Sequence, residues 1–170
     1  LAVSCGSSGS ESAPYFPTPA SAYDVLLNGT GVSNEISVQQ FYKDMSNGNL
    51  AISFDIFGPV KVSKPGSYYG ANNSSDNDSY VGEFVHEAVA AAVEQNPSAD
   101  FSKYDNDGDG YVDTVIVIHQ GRGEESGAPA DAIWSCQWDL ASSEMSGYGG
   151  GTVSSDGVTF NVFTLEPEYV

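Results

Sequence analysis

The chain has 170 residues, which is enough for one domain with a substantial apolar core. It contains 23 Asp and Glu residues but 5 Lys and Arg residues, so its formal charge is −18. This charge argues against nucleic acid or an anionic membrane as a partner and favours a secreted protein in calcium-containing or salty surroundings. No apolar run is long enough to span a bilayer. If the protein is exported, its signal peptide has already been removed, since the first residues lack a signal core.

The first part of the chain predicts a strand and two helices. Residues 1–4 predict a short buried strand, and residues 6–22 predict a loop rich in Ser, Gly and Pro. A short helix is predicted over 23–27. A clearer helix follows Ser37, which is a good N-cap residue with Gln40 in place to complete a capping box. Apolar residues in this second helix recur at helical spacing and predict one apolar stripe, formed by Val38, Phe41, Tyr42 and Met45.

The next segment predicts a β-hairpin. Residues 50–57 alternate between apolar and polar side chains, as a half-buried strand does. Gly58-Pro59 is a turn signal, and residues 60–63 would be the return strand. Residues 64–79 contain many Tyr, Asn and Ser residues and predict a loop.

A long helix is predicted over 80–95. Asp78 or Ser79 would cap its first turn, and Pro97 ends it. Val, Ala and Phe residues lie on one face of this helix, and the small alanines allow it to pack closely on a sheet.

The last third of the chain predicts more strands. Residues 115–118 are continuously apolar, which is typical of a central strand covered on both faces. A Gly-rich connection over 121–129 leads to a strand-like segment at 133–140, which contains both tryptophans. Residues 141–151 predict a loop, and residues 158–165 a half-exposed strand. The alternation of strands and helices predicts an α/β fold, and no break in composition marks a second domain.

An acidic loop precedes the predicted central strand. Its four aspartates surround two glycines: Asp105, Asp107, Asp109 and Asp113. Carboxylates at alternate positions of a tight loop converge and repel one another unless a cation joins them. The pattern D-x-D-x-D-G-x-x-D matches nine positions of an EF-hand loop and predicts calcium bound by the first three aspartates. Tyr111 would add its backbone carbonyl, and Asp113 would bind directly or through water. The twelfth position is Ile116 rather than Glu, so the EF-hand is incomplete, and the alternative is an acidic turn without metal.

The two histidines are weak candidates for a zinc site. His86 and Glu87 begin a helical sequence in which Ala90 replaces the second histidine of an HExxH motif. A solvated helix face explains this pair better. His119 ends the central strand, where ligands gather in α/β proteins, but a hydrogen-bonded histidine in the core or at its rim is the more common case.

The remaining candidates leave alternatives open. Cys5 and Cys136 either form one disulfide or remain free buried thiols. The position of Cys136 between Trp134 and Trp138 favours a packing role over that of a nucleophile. The two glutamates at 124–125 either add a carboxylate to a cation site or lie in a solvated loop.

Four segments together carry a resemblance to a known family. In chain order they are SVQQFYKDMSNGNLAIS (37–53), PGSYYG (65–70), DFSKYDNDGDGYVDTVIVIHQGRGEESG (100–127) and AIWSCQW (132–138). They resemble secreted bacterial metallopeptidases of the immune inhibitor A type, and the third segment is the most specific. The resemblance implies the amino-terminal part of a zincin catalytic domain. Such a domain has a twisted, mostly parallel sheet, and the helix at 80–95 would back it.

The resemblance also implies where the chemistry lies. In the family, a zinc-binding HExxH helix follows the strand that corresponds to residues 158–165, so no zinc ligand or catalytic glutamate is assigned to this chain. A zinc-bound water and a glutamate would attack the peptide carbonyl in the whole enzyme. The positions that match residue by residue are those of the calcium loop: Asp105, Asp107, Asp109, Tyr111 and Asp113.

The sequence therefore predicts an α/β, zincin-like amino-terminal subdomain with a twisted mixed sheet backed by helices and a calcium loop. Its expected function is that of the amino-terminal portion of a secreted zinc-dependent endopeptidase acting on proteins or peptides. The expected partner is the remainder of the catalytic domain, on the same chain or a separate one, because the final strand would otherwise leave apolar surface exposed. The alternative is a non-enzymatic, calcium-stabilised extracellular binding module that uses the abundant tyrosines and two tryptophans.

Overall fold

The computed structural model describes the backbone of residues 2–6 and the whole of residues 19–29 and 36–169. These residues form seven strands and five α-helices. The strands are β1 (Ala2–Gly6), β2 (Ile56–Lys61), β3 (Val115–Arg122), β4 (Cys136–Asp139), β5 (Val153–Ser155), β6 (Val158–Phe160) and β7 (Val162–Tyr169). The helices are α1 (Ala20–Asn28), α2 (Val38–Met45), α3 (Gly66–Tyr69), α4 (Val81–Gln95) and α5 (Leu140–Met145). Most of the loop predicted over 6–22, and Leu1 of the first predicted strand, lie outside the described residues.

Five of the strands form a mixed sheet in the order β2-β1-β3-β7-β4. Strands β2, β1, β3 and β7 pair in parallel, while β4 pairs with β7 in the antiparallel direction and lies at the edge. The α/β class and the mixed sheet backed by helices are therefore confirmed. The apolar run at 115–118 lies in β3, the central strand, as predicted.

Helices cover both faces of this central strand. On one face, α4 packs Val85 and Val89 into an apolar cluster that includes Val117 of β3 and Leu165 of β7. On the other face, α1 contributes to a smaller cluster around Ile118. Because both faces of β3 are covered, side chains that point to either face are buried and apolar, which accounts for the continuous run of Val and Ile.

Helix α2 departs from the prediction. The Ser37 hydroxyl accepts a hydrogen bond from the Gln40 backbone N–H at 3.1 Å, so the N-cap is confirmed. The Gln40 side chain donates to Asp44 instead of closing the capping box. No residue of α2 is buried, and in the predicted apolar stripe Phe41 is 50% exposed and Met45 70% exposed.

The predicted strand over residues 50–57 is wrong for its first part, because β2 begins only at Ile56. Side-chain amides occupy the backbone groups that a neighbouring strand would have paired. Asn28 accepts from the Phe54 N–H at 2.9 Å and donates to the Phe54 carbonyl at 2.8 Å. Gln39 donates to the Ile52 carbonyl at 2.6 Å. These three backbone groups thus bond to side chains of α1 and α2 rather than to a neighbouring strand.

The predicted turn at Gly58-Pro59 is also wrong. These residues lie inside β2, which continues in one direction instead of turning back. The register against β1 shifts between Val3 and Cys5, which pair with Phe57 and Val60, so β2 contains one extra residue. A bulge accommodates Gly58-Pro59 without ending the strand.

The predicted helix over 80–95 is confirmed as α4, with a different start. The N-cap position is Tyr80, whose side chain makes no capping hydrogen bond. The Asp78 carboxylate instead accepts from the Trp134 backbone N–H at 2.8 Å. The preceding segment, predicted to be a loop, contains α3, in which Tyr69 is fully buried.

The carboxyl-terminal part contains more regular structure than predicted. Helix α5 occupies part of the predicted loop over 141–151. The strand predicted over 158–165 is divided at Asn161 into β6 and β7. The Asn161 side chain accepts from the Ala141 N–H at 3.0 Å, and its carbonyl accepts from Leu140 at 3.0 Å, which fixes the point of division. Across the described ranges, no helix has the length and apolarity needed to cross a membrane.

Candidate metal centre

Three aspartates of the acidic loop lie together. One carboxylate oxygen from each of Asp105, Asp107 and Asp109 lies within 4.8 Å of the other two. The loop joins a turn of 3-10 helix (Phe101–Tyr104) to β3. Gly108 and Gly110 have φ angles of 77° and 88°, which allow the backbone to turn so tightly. The predicted convergence of these three side chains is present.

Hydrogen bonds from the backbone hold the carboxylates in place. Asp105 accepts from the N–H groups of Gly108 at 2.8 Å, Asp109 at 3.1 Å and Gly110 at 3.0 Å. Asp107 accepts from the Asp109 N–H at 3.2 Å, and Asp109 accepts from the Tyr111 N–H at 2.8 Å. Asp105 is thus the structural anchor of the loop, and Asp107 contributes least to its backbone conformation.

Asp113 and Tyr111 occupy different surroundings. Asp113 accepts from the Asn106 backbone N–H at 3.3 Å and from the Asn106 side-chain amide, and it lies outside the trio. Within the described residues, no N–H or O–H group donates to the Tyr111 carbonyl. The structure therefore brings three of the four predicted aspartates together and leaves the Tyr111 carbonyl free of internal donors.

The loop is fixed to the rest of the fold at both ends. Before it, the Phe101 ring is buried, and the Phe101 N–H donates to Asp156 at 3.1 Å. After it, the Thr159 N–H donates to the Gly110 carbonyl at 2.9 Å, and the Val112 N–H donates to the Thr159 carbonyl at 3.0 Å. The loop is therefore anchored to the β5–β6 hairpin as well as to β3.

The pair at His86 and Glu87 forms no metal site. The Nδ1 atom of His86 lies 2.8 Å from the Gly151 carbonyl. Glu87 accepts from the backbone N–H and the hydroxyl of Ser63 at 2.8 and 2.9 Å, and from the Tyr69 hydroxyl at 3.0 Å. The prediction of a solvated helix face is therefore wrong in part, because both side chains make hydrogen bonds to neighbouring segments.

His119 is a buried residue, in agreement with the more common case considered above. It is 4% exposed, and its Nδ1 atom lies 3.1 Å from the Gln120 carbonyl. No group among the described residues makes a hydrogen bond with its Nε2 atom. Burial lowers the pKa of His119, because the charged imidazolium would lose its water.

The two cysteines do not form a disulfide. Cys136 is a free thiol. Cys5 pairs with His119 on β3, and Cys136 pairs with Leu165 on β7, so three strand spacings separate them. At about 4.8 Å per spacing this is about 14 Å, twice the distance that a disulfide spans. Burial raises the pKa of Cys136 to about 12, as expected for a thiol with a packing role.

The acidic trio fits calcium and not zinc. Calcium takes six to eight oxygen ligands, and the three carboxylates and the Tyr111 carbonyl are oxygen donors. Zinc in proteins prefers nitrogen and sulfur ligands. Across the described part of the chain, this trio is the one set of three or more His, Cys, Asp or Glu side chains close enough to share an ion. Glu124 and Glu125 do not join it, and Glu125 accepts instead from the Ser135 hydroxyl at 2.5 Å. The described residues therefore do not provide a zinc site.

Comparisons with known proteins identify the class of this domain as a peptidase. The family model described as "Immune inhibitor A peptidase M6, catalytic domain" matches residues 21–169. The chain therefore belongs to the immune inhibitor A peptidase family, as its sequence motifs suggested.

Named relatives agree with this assignment. The chain is 29% identical over 144 residues to a protein called "Pre-pro-metalloprotease PrtV" from two strains of Vibrio cholerae serotype O1. It is 27% identical over 157 residues to "Immune inhibitor A" of Bacillus thuringiensis subsp. alesti. The matches cover 72% and 76% of this chain but 16% and 22% of those proteins, so the chain spans about a fifth of their length. Family and names mark the chain as part of a metallopeptidase.

Proposed function

We propose that this chain is the amino-terminal part of the catalytic domain of a secreted zinc-dependent endopeptidase. The observation that carries the proposal is the family match over 21–169, which includes almost all of the described residues. In this view the five-stranded sheet and its backing helix α4 belong to a zincin-like subdomain. The remainder of the catalytic domain, on the same chain or a separate one, is its partner, and proteins or peptides are its substrates.

The acidic loop is proposed as a structural calcium site. Asp105, Asp107 and Asp109 would hold the ion with their carboxylates and Tyr111 with its carbonyl. Asp113 would contribute through a water molecule, since its carboxylate is engaged with Asn106. Bound calcium would neutralise a group of charges that otherwise repel, and would thereby stabilise the segment that leads into β3.

Zinc is proposed for the whole enzyme and not for these residues. Neither histidine of the chain belongs to a group of potential ligands among the described residues. The zinc ligands and the catalytic glutamate would come from the remainder of the domain. The contribution of this chain is therefore to build the sheet and to fix the loop, while the hydrolytic groups lie elsewhere.

Two chelators distinguish these roles in the full-length protein. A zinc-selective chelator such as 1,10-phenanthroline should abolish hydrolysis of a protein substrate without lowering the melting temperature of this domain. EGTA, which prefers calcium, should lower the melting temperature, and calcium but not magnesium should restore it. Hydrolysis that survives the first chelator contradicts the zinc assignment, and a melting temperature indifferent to EGTA contradicts the calcium assignment.

The alternative of a non-enzymatic binding module is not favoured, because the matched family is one of peptidases. Secretion is proposed from the acidic composition and from the resemblance to secreted peptidases. It is tested by fractionating the producing cells and locating the protein with an antibody.

A further inference from the structure

A cavity of about 720 Å³ lies beside the edge strand β4, and no residue of the acidic loop lines it. Three segments enclose it: the turn before α4, the extended segment that ends in β4, and the turn after α5. Its volume falls in the range of about 300–1,000 Å³ that is usual for sites of small ligands and single side chains. Neither the calcium proposal nor the fold accounts for it.

Aromatic side chains form much of the wall. Trp134 and Trp138 lie on the same side of the extended segment as Cys136, because side chains two residues apart point to one face. The Trp138 and Tyr148 rings meet edge to face, with centroids 5.3 Å apart and planes at 79°. Trp134 lines the cavity and is 49% exposed, so about half of this residue remains open to solvent. The faces of such rings attract cations.

A buried carboxyl group completes the wall. Asp78 is 7% exposed and lines the cavity with Asp76. One of its oxygens accepts from the Trp134 backbone N–H at 2.8 Å, which fixes the carboxyl beside the backbone of that residue. None of the five Lys and Arg residues of the chain lines the cavity. The Asp78 carboxylate therefore has no positive partner among the described residues.

The surroundings of Asp78 further disfavour its charged form. Burial raises the pKa of Asp78 to about 6, and the negative charges of Glu124 and Glu125 act in the same direction. A buried acid without a counter-charge destabilises a fold, so its presence in an aromatic cavity needs a reason. An organic cation would satisfy both the carboxylate and the ring faces.

We infer that this cavity binds an arginine side chain of a polypeptide, with the guanidinium group between the Trp134 ring and the Asp78 carboxylate. Arginine fits better than lysine, because a planar guanidinium stacks on an aromatic face and donates to a carboxylate at the same time. The use of this cavity as a subsite for substrate rests on the proposed peptidase function. The binding of arginine does not depend on that function.

Tryptophan fluorescence gives a direct test. The chain has two tryptophans, and both line the cavity, so fluorescence excited at the red edge of their absorption reports on this site alone. We expect a saturable change when N-acetyl-arginine amide is added to the 170-residue chain. The citrulline analogue has the same shape without the charge and should give no saturable change, and neither should N-acetyl-leucine amide.

Two matched variants locate the effect. Asp78→Asn keeps the acceptor for the Trp134 N–H but removes the charge, and should weaken binding of the arginine probe at least about tenfold. Asp131→Asn removes an exposed acid that does not line the cavity, and should leave binding unchanged. Calorimetric titration of the full-length protein and its two variants repeats the comparison independently of whether the shorter chain folds.

Three results would overturn the inference: equal binding of the citrulline or leucine probe, unchanged affinity in the Asp78→Asn variant, or a saturable response to maltotriose instead of arginine. On the full-length enzyme, peptides that contain arginine should be cleaved with a higher kcat/KM than their citrulline counterparts. Cleavage without this preference, while arginine still binds, overturns the assignment as a substrate subsite. A complete absence of hydrolysis overturns the proposed function and leaves the binding result intact.

Discussion

Replacing Asp107 by Asn should have opposite effects on stability with and without calcium. Asp107 is exposed and accepts one long backbone hydrogen bond, at 3.2 Å, so the loop conformation depends on it little. Its carboxylate lies within 4.8 Å of those of Asp105 and Asp109. Without an ion, these contacts are repulsive. With an ion bound as proposed, Asp107 would be a ligand.

The magnitudes follow from these distances. Two charges at that separation repel by about 1 kcal/mol in a water-like dielectric, and salt reduces this further. Removing Asp107 relieves two such pairs, so the variant in EGTA should be more stable than the parent by about 1 kcal/mol. If the loop binds calcium as proposed, a hundredfold excess over the Kd would stabilise the parent by about 2.7 kcal/mol, which is about 5–10 °C in Tm for a chain of this size. The variant should lose most of this gain.

Thermal unfolding followed by circular dichroism tests this prediction in EGTA, in calcium and in magnesium. The order of the two melting temperatures should invert between EGTA and calcium. Asp131→Asn, which removes an exposed acid far from the loop in sequence, should show no such inversion. If calcium raises the Tm of the Asp107 variant as much as that of the parent, Asp107 is not a ligand. If it raises neither, the acidic trio does not bind calcium.

Three further predictions concern the rest of the domain. In Gly82→Ala the new Cβ would lie 1.6 Å from the Ser143 hydroxyl. The helices must shift to avoid this clash, and the shift should lower the free energy of unfolding by about 1–3 kcal/mol in urea titrations. An unchanged midpoint contradicts the packing of α4 on α5. In a Cys5→Ser background, Cys136 should react slowly with a thiol reagent at pH 8, because burial raises the pKa of Cys136 to about 12; rapid labelling would refute this burial. Burial raises the pKa of Asp78 to about 6, so the unfolded chain loses this proton at a lower pH than the folded one, and stability should fall as pH rises from about 4 to about 6. The fall is about 3 kcal/mol for the full pKa shift and about 1–2 kcal/mol after solvent screening. Asp78→Asn should remove this fall, and an identical pH profile of the variant would contradict the prediction.

The parts of the fold that could be read from the sequence are those with local causes. The acidic loop depends on aspartates and glycines that are neighbours in the chain. Helix α4 carries its own apolar face, and the run of Val and Ile in β3 signals burial on both sides. The β5–β6 hairpin was not predicted, although its Asp156-Gly157 dipeptide is typical of two-residue hairpin turns, and both residues have the positive φ angles of such a turn.

The parts that could not be read depend on distant partners. Nothing near residues 50–55 indicates that the Asn28 and Gln39 side chains will occupy their backbone groups and keep them out of the sheet. The apolar stripe of α2 has the spacing of a buried face, but burial is decided by what packs against it. The cavity beside β4 combines Asp78 with Trp134, which lie 56 positions apart in the chain. From the residues next to it in the sequence, Asp78 was predicted, as an alternative to Ser79, to cap the first turn of α4.

The two hydrogen bonds between Thr159 and the acidic loop have a dynamic consequence. They make the loop and the β5–β6 hairpin a single cooperative unit, although about fifty residues separate them in sequence. Opening one therefore exposes the amides of both. Hydrogen exchange at Val112 and at Thr159 should proceed at a common rate, so a single amide can report on the opening of a segment remote in the chain.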